Sequence, residues 1–332
     1  MNIRTAEFVS PKHPDKICDQ IADAILDAYL IKDKYSRTAI EVIGGHNLIV
    51  VLGEVKSSIN LKKIPISSEA RKKVLSEAKV LILKIIRSIV GNKFKIMIRL
   101  EEQSLEIAHG VDIGGAGDQG IMIGYACNET KNYMPIEYEL ARNLCRKIYK
   151  EYPYDGKTQV TLEDKKVSRV VASFQNTKTK KLEKFVKSII KAEEYVINPS
   201  GDWKIGGFDA DTGLTGRKLV VDSYGPRVPA GGGSFSGKDA TKVDRSGAYM
   251  ARKIAVDYLE RYKTKEVLVK LAYAIGKKEP LMKSVVIDGK EEEIKGYDLT
   301  PDGIIKFLDL RKPIYRKTSQ WGHFGNGFKW DC

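Results

Sequence analysis

The pattern of apolar residues near the start of the chain predicts an amphipathic helix. Between Ile17 and Tyr29 an apolar residue recurs at every fourth position, which is the pattern of a helix that buries one face. Pro14 fits the first helical position, where its missing N–H costs no hydrogen bond, and an acidic residue there favours the helix dipole. His13 and Asp15 therefore lie at the mouth of a buried element.

The segments that follow alternate between strand-like and helix-like patterns. Apolar and polar residues alternate at 38–43 and 48–55 around a Gly-Gly-His-Asn turn, which predicts a hairpin on which Glu41 and Glu54 could approach one region. Taken singly, each glutamate is typical of a surface carboxylate. Further strands are predicted at 3–9, 94–100, 159–163, 167–174, 218–224, 267–275 and 283–287. Further helices are predicted at 67–89, 136–149, 180–194, 246–262 and 300–310.

This order of elements predicts an α+β fold built from three similar units. Helices alternate with strand pairs three times along 332 residues, which is too long for one ordinary core. In sequence order the units are an N-terminal domain at 1–101, a central domain at 113–204 and a C-terminal domain at 205–332. This division follows the chain, and the structural domains could still interleave.

The composition is that of a soluble globular protein, with 42% hydrophobic and 30% charged residues. The most apolar run, at 80–90, is interrupted by Lys84 and Arg87, so no membrane span is expected. Residues 1–7 lack the apolar core of a signal peptide, and a cytoplasmic location is therefore expected. The four cysteines are widely separated, which disfavours a zinc site or a disulfide framework.

A net charge of +14 indicates attraction to polyanions, either nucleic acid or polyphosphate. Much of this charge is lysine on helical segments such as 71–73 and 178–187, where a solvated surface is the ordinary interpretation. The sequence lacks the interleaved basic and aromatic residues of a base-stacking platform. Nucleic-acid binding is therefore a disfavoured alternative.

The glycine-rich stretch at 231–246 indicates a loop that folds closely around phosphate oxygens. Gly232 and Gly237 are five residues apart and Lys238 follows, as in a P-loop, but Asp239 stands where that motif requires a hydroxyl for magnesium. The stretch is therefore interpreted as a phosphate-binding loop and not as that of a P-loop NTPase. A flexible glycine linker is the alternative, although linkers seldom carry regularly spaced lysines before a helix.

Four motifs together resemble the S-adenosylmethionine synthetase family, also called methionine adenosyltransferases. In chain order they are His-Pro-Asp-Lys at 13–16, Gly-Ala-Gly-Asp-Gln-Gly at 115–120, Gly-Leu-Thr-Gly-Arg-Lys at 213–218 and the stretch at 231–246. The resemblance extends from residue 3 to His-Phe-Gly at 323–325, nearly the whole chain. It implies three α/β domains with pseudo-threefold symmetry, and a dimer whose two active sites lie between the subunits.

The resemblance also implies a reaction. The methionine sulfur attacks the 5′ carbon of ATP and displaces tripolyphosphate, which is then cleaved to pyrophosphate and phosphate, with magnesium and potassium as the ions. A thioether is neutral and nucleophilic, so no base is needed to deprotonate it. Fixed cations accelerate such a step because the leaving group gathers negative charge in the transition state.

Matching the family motifs assigns residues to this chemistry. The catalytic residues are His13, Lys157, Arg217, Lys238 and Lys242. The ATP-binding residues are His13, Asp118, Asp155, Lys157, Trp203, Asp211, Arg217, Lys218, Ser234 and Lys238. The methionine-binding residues are Glu54, His109, Asp118, Asp211 and Lys242. The metal ligands are Asp15 and Asp244 for magnesium and Glu41 for potassium, all oxygen donors.

The chain departs from the family pattern at three places. His109 stands where glutamine is usual, and an imidazole can become charged as the pH falls to about 6.5. Only residues 113–114 lie between two motifs that a longer mobile lid usually separates, which predicts altered product release. Trp203 replaces a phenylalanine and can still stack on adenine, whereas Asp202 replaces an arginine and removes a cation.

A catalytically silent, regulatory family member is the second alternative. It would share the motifs, but every matched phosphate cation and both magnesium carboxylates are present here. The expected partners are therefore ATP, L-methionine and a second copy of the chain, without nucleic acid or membrane.

Overall fold

The structure is a computed structural model that describes residues 2–57, 68–102 and 114–332. The strands are β1 (Ile3–Val9), β2 (Arg37–Gly45), β3 (Leu48–Lys56), β4 (Lys95–Glu102), β5 (Gly120–Cys127), β6 (Gly156–Glu163), β7 (Lys166–Phe174), β8 (Glu194–Ile197), β9 (Gly213–Leu214), β10 (Glu266–Tyr273), β11 (Met282–Ile287) and β12 (Lys290–Glu292). The helices are α1 (Pro14–Lys32), α2 (Ser68–Val90), α3 (Ile136–Glu151), α4 (Thr179–Ile189), α5 (Leu219–Asp222), α6 (Val243–Tyr262), α7 (Pro301–Leu308) and α8 (Tyr315–Thr318). Single 3₁₀ turns lie at Gly207–Asp209 and Lys329–Asp331.

The strands form three four-stranded sheets, which confirms the predicted α+β fold of three units. The first sheet has the order β1-β6-β7-β8, the second β12-β11-β10-β5, and the third β4-β3-β2-β9. Each sheet takes one strand from a different third of the sequence: β1, β5 and β9 all pair outside their own segment. The sheets thus interleave along the chain, whereas the division at 1–101, 113–204 and 205–332 stays a prediction in sequence order.

Helix α1 packs against the inner face of the third sheet. Ile21 and Ile25 are fully buried in one cluster with Ile40 and Val42 of β2 and with Val51 of β3. The predicted apolar stripe of this helix is therefore confirmed. Burial of such a stripe is the main source of stability for a surface helix, and here it fixes the charged start of α1 beside the edge of β2.

Helix α6 lies directly on the second sheet. A Cβ added to Gly124 of β5 would approach the carbonyl carbon of Ala251 to 2.0 Å, so the helix and strand backbones are in contact. The position of α6 places Asp244 in the first turn of the helix, where the helix dipole favours a negative charge.

None of the described helices is long and apolar enough to cross a membrane.

The edge of β2 that faces away from β3 binds two glycine-rich segments. Strand β9 pairs with it through Ile43 and Leu214. Farther along the same strand, Ile40 donates its N–H to the carbonyl of Gly237 at 3.1 Å, and an isolated bridge joins Ala39 to Lys238. Segments 213–218 and 231–242 are thereby held side by side.

The sequence predictions of secondary structure differ from the structure at several elements. The segment 218–224 is not a strand, because its amide groups are satisfied within a helical turn and Asp222 is buried. Short apolar runs do not distinguish the two structures. Strand β5 was missed because it is apolar throughout, without alternation. The predicted helix at 180–194 ends at Ile189, and the chain continues into β8.

Candidate active site

Helix α1 carries a row of four aspartates that bind the loops around it. We call Asp15, Asp19, Asp23 and Asp27 the aspartate row; they are four residues apart and so lie on one face of the helix. They accept the backbone N–H groups of Leu214, Gly216, Gly237 and Tyr315, respectively, each at 2.9 Å. One helix thereby holds both glycine-rich segments and the start of α8.

His13 is the N-cap residue of α1. Its Nδ1 accepts the backbone N–H of Asp15 at 3.2 Å, so in the neutral ring the proton is on Nε2. Burial lowers the pKa of His13 to about 3, with help from Lys218 and Lys157 and against the opposing effect of Asp15 and Asp211. The site therefore contains a neutral imidazole that offers an Nε2–H donor.

Asp15 is paired with the cations of the segment 213–218. Its Oδ2 accepts from the Lys218 ammonium at 2.5 Å, its Oδ1 accepts the Leu214 N–H, and the Arg217 guanidinium lies at 3.9 Å. Burial opposes ionisation, but the bonds from Lys218 and Leu214 keep the pKa of Asp15 below its ordinary value. The side chain of Arg217 is 55% exposed, so it is available to a ligand.

Asp244 and Lys238 form the second carboxylate–ammonium pair of the site, at 2.5 Å. Asp244 is buried against Gly233, where an added Cβ would lie 2.3 Å from the carboxylate carbon. Ser234 is equally close to Gly216, since an added Cβ there would lie 2.6 Å from the serine Cβ. The loop that carries Lys238 therefore contacts the segment that carries the first pair.

Asp239 explains why the loop departs from the P-loop pattern. Its Oδ2 accepts the N–H of Thr38 at 2.8 Å and the ammonium of Lys242 at 2.5 Å, and its Oδ1 accepts the N–H of Thr241. Burial opposes ionisation, but Lys242 and Thr241 hold the pKa of Asp239 below its ordinary value. This carboxylate braces the loop against β2 and fixes Lys242.

Asp155 lies near the residues that surround His13. Its Oδ2 accepts the N–H of Gly207 at 2.9 Å, and burial raises its pKa. Lys157, two residues on, is exposed in β6, and both Lys157 and Asp211 act electrostatically on Asp155 and on His13. The structure thus gathers His13, Asp15, Lys157, Asp211 and Lys218 into one group.

The remaining predicted residues are less closely joined to these groups. Asp118 is half-buried and accepts the N–H of Gln119, and Trp203 is half-buried with its carbonyl bonded to the N–H of Asn176. Glu54 is exposed on β3. His109 and residue 113 of the short lid fall outside the described residues.

Glu41 lies on the outward face of β2. The residue is exposed, but the protein around its carboxylate desolvates it and raises its pKa to about 7; Lys238 opposes this shift, and the carboxylates of Asp19 and Glu54 add to it. A cation bound nearby would favour the ionised carboxylate and lower this pKa.

Asp202 has a local structural contact in place of the cation that the family pattern carries. Its Oδ1 accepts both the N–H and the hydroxyl of Thr179 at 2.8 Å, and its Oδ2 pairs with Lys178 at 2.9 Å. The bond from Lys178, followed by those from Thr179, lowers the pKa of Asp202 to about 2. The substitution therefore caps the start of α4.

Sequence reasoning missed the buried ion pairs beneath the site. Lys16 is fully buried between Asp19 and Asp222, and Arg245 binds both carboxylate oxygens of Asp23 at 2.7 and 2.8 Å. The signal in the sequence was the four-residue repeat of aspartates within an otherwise apolar helix. Such a repeat on a buried face requires partners, because unpaired buried charges are costly.

The carboxylates fit magnesium held jointly with a phosphate ligand. Within the described ranges no three histidine, cysteine or acidic side chains converge on one point. Magnesium usually takes one or two protein carboxylates and substrate phosphates, not a complete protein cage. Asp15 and Asp244, each paired with an ammonium group, suit that donor set.

The fold and these groups define an α+β protein whose cations surround two glycine-rich segments, and sequence comparison identifies its family. The S-adenosylmethionine synthetase N-terminal, central and C-terminal domains match residues 1–105, 113–203 and 205–332. S-adenosylmethionine synthases from Borreliella afzelii and Mycoplasmopsis synoviae are 41% and 39% identical to this chain, over 98% of it and 94% of each relative. The chain belongs to the S-adenosylmethionine synthetase family.

A solved structure supports the same assignment. The S-adenosylmethionine synthetase from Campylobacter jejuni superposes with a TM-score of 0.84 at 32% identity, over 100% of this chain and 97% of that chain. The alignment with the Borreliella relative extends over 374 positions, whereas this chain has 332 residues. The relative therefore carries segments that this chain lacks, in agreement with the trimmed pattern of the sequence.

Proposed function

We propose that the protein makes S-adenosylmethionine from ATP and L-methionine and then hydrolyses the tripolyphosphate to pyrophosphate and phosphate. The observation that carries this proposal is the pair of carboxylate–ammonium contacts, Asp15 with Lys218 and Asp244 with Lys238, on two segments that touch each other. Both contacts belong to segments that match the family motifs. A polyanion that enters between them meets cations already fixed in place.

The residues suit departure of a triphosphate. Negative charge develops on the leaving oxygen as the sulfur attacks the 5′ carbon, and fixed donors there act more strongly on the transition state than on ATP. His13 supplies a neutral Nε2–H donor that needs no proton transfer. Lys157, Arg217, Lys218 and Lys238 supply positive charge around the same phosphates. Asp155, Trp203 and Ser234 border the nucleotide.

Two ions belong to this proposal. Asp15 and Asp244 would hold magnesium, which when bound neutralises phosphate charge. Glu41 would hold potassium; desolvation, with a smaller effect from Asp19 and Glu54, raises its pKa, and a bound monovalent cation would favour its ionised form. Methionine would be fixed by Glu54, Asp118, Asp211 and Lys242, with His109 as a further contact.

The outward face of the third sheet supports an oligomer as part of this proposal. This face exposes Ile43, Leu52 and Met97 at 41%, 46% and 60% of their surface, next to Glu41 and Glu54. An apolar sheet face of this kind marks an interaction surface. Because two site residues share it, a second copy of the chain would meet the substrates there.

Incubation with ATP, methionine, magnesium and potassium tests the proposal, with S-adenosylmethionine measured by mass spectrometry and phosphate by a colorimetric assay. The expected result is one S-adenosylmethionine for each pyrophosphate and phosphate. The Lys238→Met variant keeps side-chain length without charge and is expected to lose activity while it remains folded. Absence of product from the wild-type chain would favour a silent family member, and salt-sensitive nucleic-acid binding without product would favour the basic-protein alternative.

A further inference from the structure

Asp19 holds the backbone directly ahead of two phosphate-binding cations. Its Oδ1 accepts the N–H of Gly216 at 2.9 Å, and Arg217 and Lys218 follow at once. Gly216 has a φ of +77°, a left-handed conformation that favours glycine. The carboxylate thus satisfies the amide of a tight bend and sets the direction in which the two cations leave the chain.

Asp23 repeats this arrangement one helical turn later. Its Oδ1 accepts the N–H of Gly237 at 2.9 Å, and Lys238 is the next residue. Gly237 has a φ of +83°, and an added Cβ would lie 2.0 Å from the carbonyl oxygen of Ile40. At Gly237, as at Gly216, the backbone takes a left-handed bend and an aspartate accepts its N–H. Neither glycine has room for a Cβ.

The charges of these two carboxylates are neutralised by cations that do not reach the site. Lys16 donates to Asp19 at 2.9 Å and Arg245 binds Asp23, and all four side chains are buried. Asp19 and Asp23 therefore do not need Arg217 or Lys218 as counter-charges, and Lys218 pairs with Asp15 instead. Four residues of α-helix span about 6 Å along the axis, so α1 sets the distance between the two segments.

We propose that Asp19 and Asp23 are positioning residues that place Arg217, Lys218 and Lys238 at the spacing of a bound triphosphate. The proposal rests on the proposed function, because it takes these cations to be the phosphate ligands. It assigns no contact between either aspartate and the substrate. Their effect on the reaction passes through the backbone of the following residues.

Titration of the full chain with inorganic tripolyphosphate in the presence of magnesium, followed by calorimetry, tests this role. Asp19→Ala leaves the Gly216 amide without its acceptor and is expected to weaken binding about tenfold. Asp19→Asn keeps an acceptor oxygen, and Lys16 keeps Asp222 as its partner, so its affinity is expected to stay within about threefold of the wild type. The same order is expected for kcat, with a smaller change in the KM for methionine.

Asp27→Ala is the matched control. Asp27 belongs to the same row and accepts the N–H groups of Tyr315 and Arg316 at 2.9 Å, neither of which precedes a predicted phosphate ligand. Its loss is expected to lower the melting temperature without changing tripolyphosphate affinity. Thermal denaturation verifies that every variant is folded.

Two results would overturn the positioning role alone: an Asp19→Ala variant that binds tripolyphosphate as tightly as the wild type, or an Asp27→Ala variant that loses as much affinity as Asp19→Ala. A wild-type chain that neither binds tripolyphosphate nor forms S-adenosylmethionine would overturn the proposed function, and the positioning role with it.

Discussion

His13 and Asp15 are joined by a hydrogen bond in which the imidazole ring is the acceptor. The Asp15 backbone N–H donates to Nδ1 at 3.2 Å, which leaves Nε2 as the protonated nitrogen. The His13 ring therefore caps α1 through Nδ1 and offers its Nε2–H to the site. These two contributions can be separated by substitution.

His13→Asn is expected to preserve the helix cap and to lose activity. An asparagine oxygen can replace Nδ1 as an acceptor, but its amide does not reach the position of Nε2. His13→Ala loses both contacts, so we expect it to be less stable by about 1 kcal/mol. Both variants are expected to lose about 100-fold in kcat, measured as S-adenosylmethionine formed, with stability from urea denaturation. Wild-type turnover by His13→Asn would show that only the cap matters.

Gly233→Ala is expected to impair the use of magnesium. Its Cβ would lie 2.3 Å from the carboxylate carbon of Asp244, so the carboxylate must shift, and its contact with Lys238 is expected to change. We expect the magnesium concentration for half-maximal activity to rise at least about tenfold. Asp244→Asn, which removes the charge and keeps the shape, is the comparison. An unchanged magnesium requirement in Gly233→Ala would contradict the proposed role of Asp244.

Stability is expected to depend on pH through Asp27. Burial raises its pKa to about 6, against the lowering effect of the Arg316 and Tyr315 amides. Because the folded chain holds this proton more tightly than the unfolded chain, the contribution to stability is present below about pH 4 and declines as the pH rises through 6.

Asp27→Asn removes that dependence while an amide oxygen can still accept a backbone N–H. Relative to the wild type, the variant is expected to gain stability between pH 4 and 7, on the order of 2 kcal/mol at the upper end. Urea denaturation across this pH range measures the difference. A constant offset between the two proteins would show that Asp27 does not titrate there.

Met97→Lys combined with Leu52→Lys is expected to disrupt the oligomer. Both side chains lie on the outward face of the third sheet, at 60% and 46% exposure, and buried lysines without partners are costly. Light scattering is expected to report a monomer, and activity is expected to fall with it. Ile31→Lys, at an exposed residue near the end of α1, is the control and should keep both properties.

The elements with a strong local period were predicted correctly, whereas β8 and the segment 218–224, which depend on distant partners, were not. The stripe at 17–29 and the hairpin at 38–55 carry their pattern locally, and the structure has both. Strand β8 is four residues long and is specified by its parallel pairing with β7. Segment 218–224 has a strand-like composition, but Asp222 is buried beside Lys16, about 200 residues away in sequence.

The functional site shows the same contrast between residues that the sequence predicts and residues that it does not. The motif residues could be named from the sequence because they match the motifs of the family that the chain resembles, and the structure places His13, Asp15, Lys157, Asp211 and Lys218 in one group. Their supports Asp19 and Asp23 could not be named, because each binds a backbone amide, which has no sequence signature. Only the spacing of the row along α1 was visible.

The exchange of strands between segments has a consequence for the nascent chain. Strand β1 is made first, yet its partner β6 pairs Ile3 with Glu163, so the ribosome must add most of the central segment before this first strand can join a sheet. Likewise, the edge of β2 stays unpaired until Leu214 of β9 has been synthesised. Contacts so distant in sequence slow folding, and no third of the chain completes its own sheet. Synthesis halted after the first or the second segment would leave an unpaired strand edge open to aggregation.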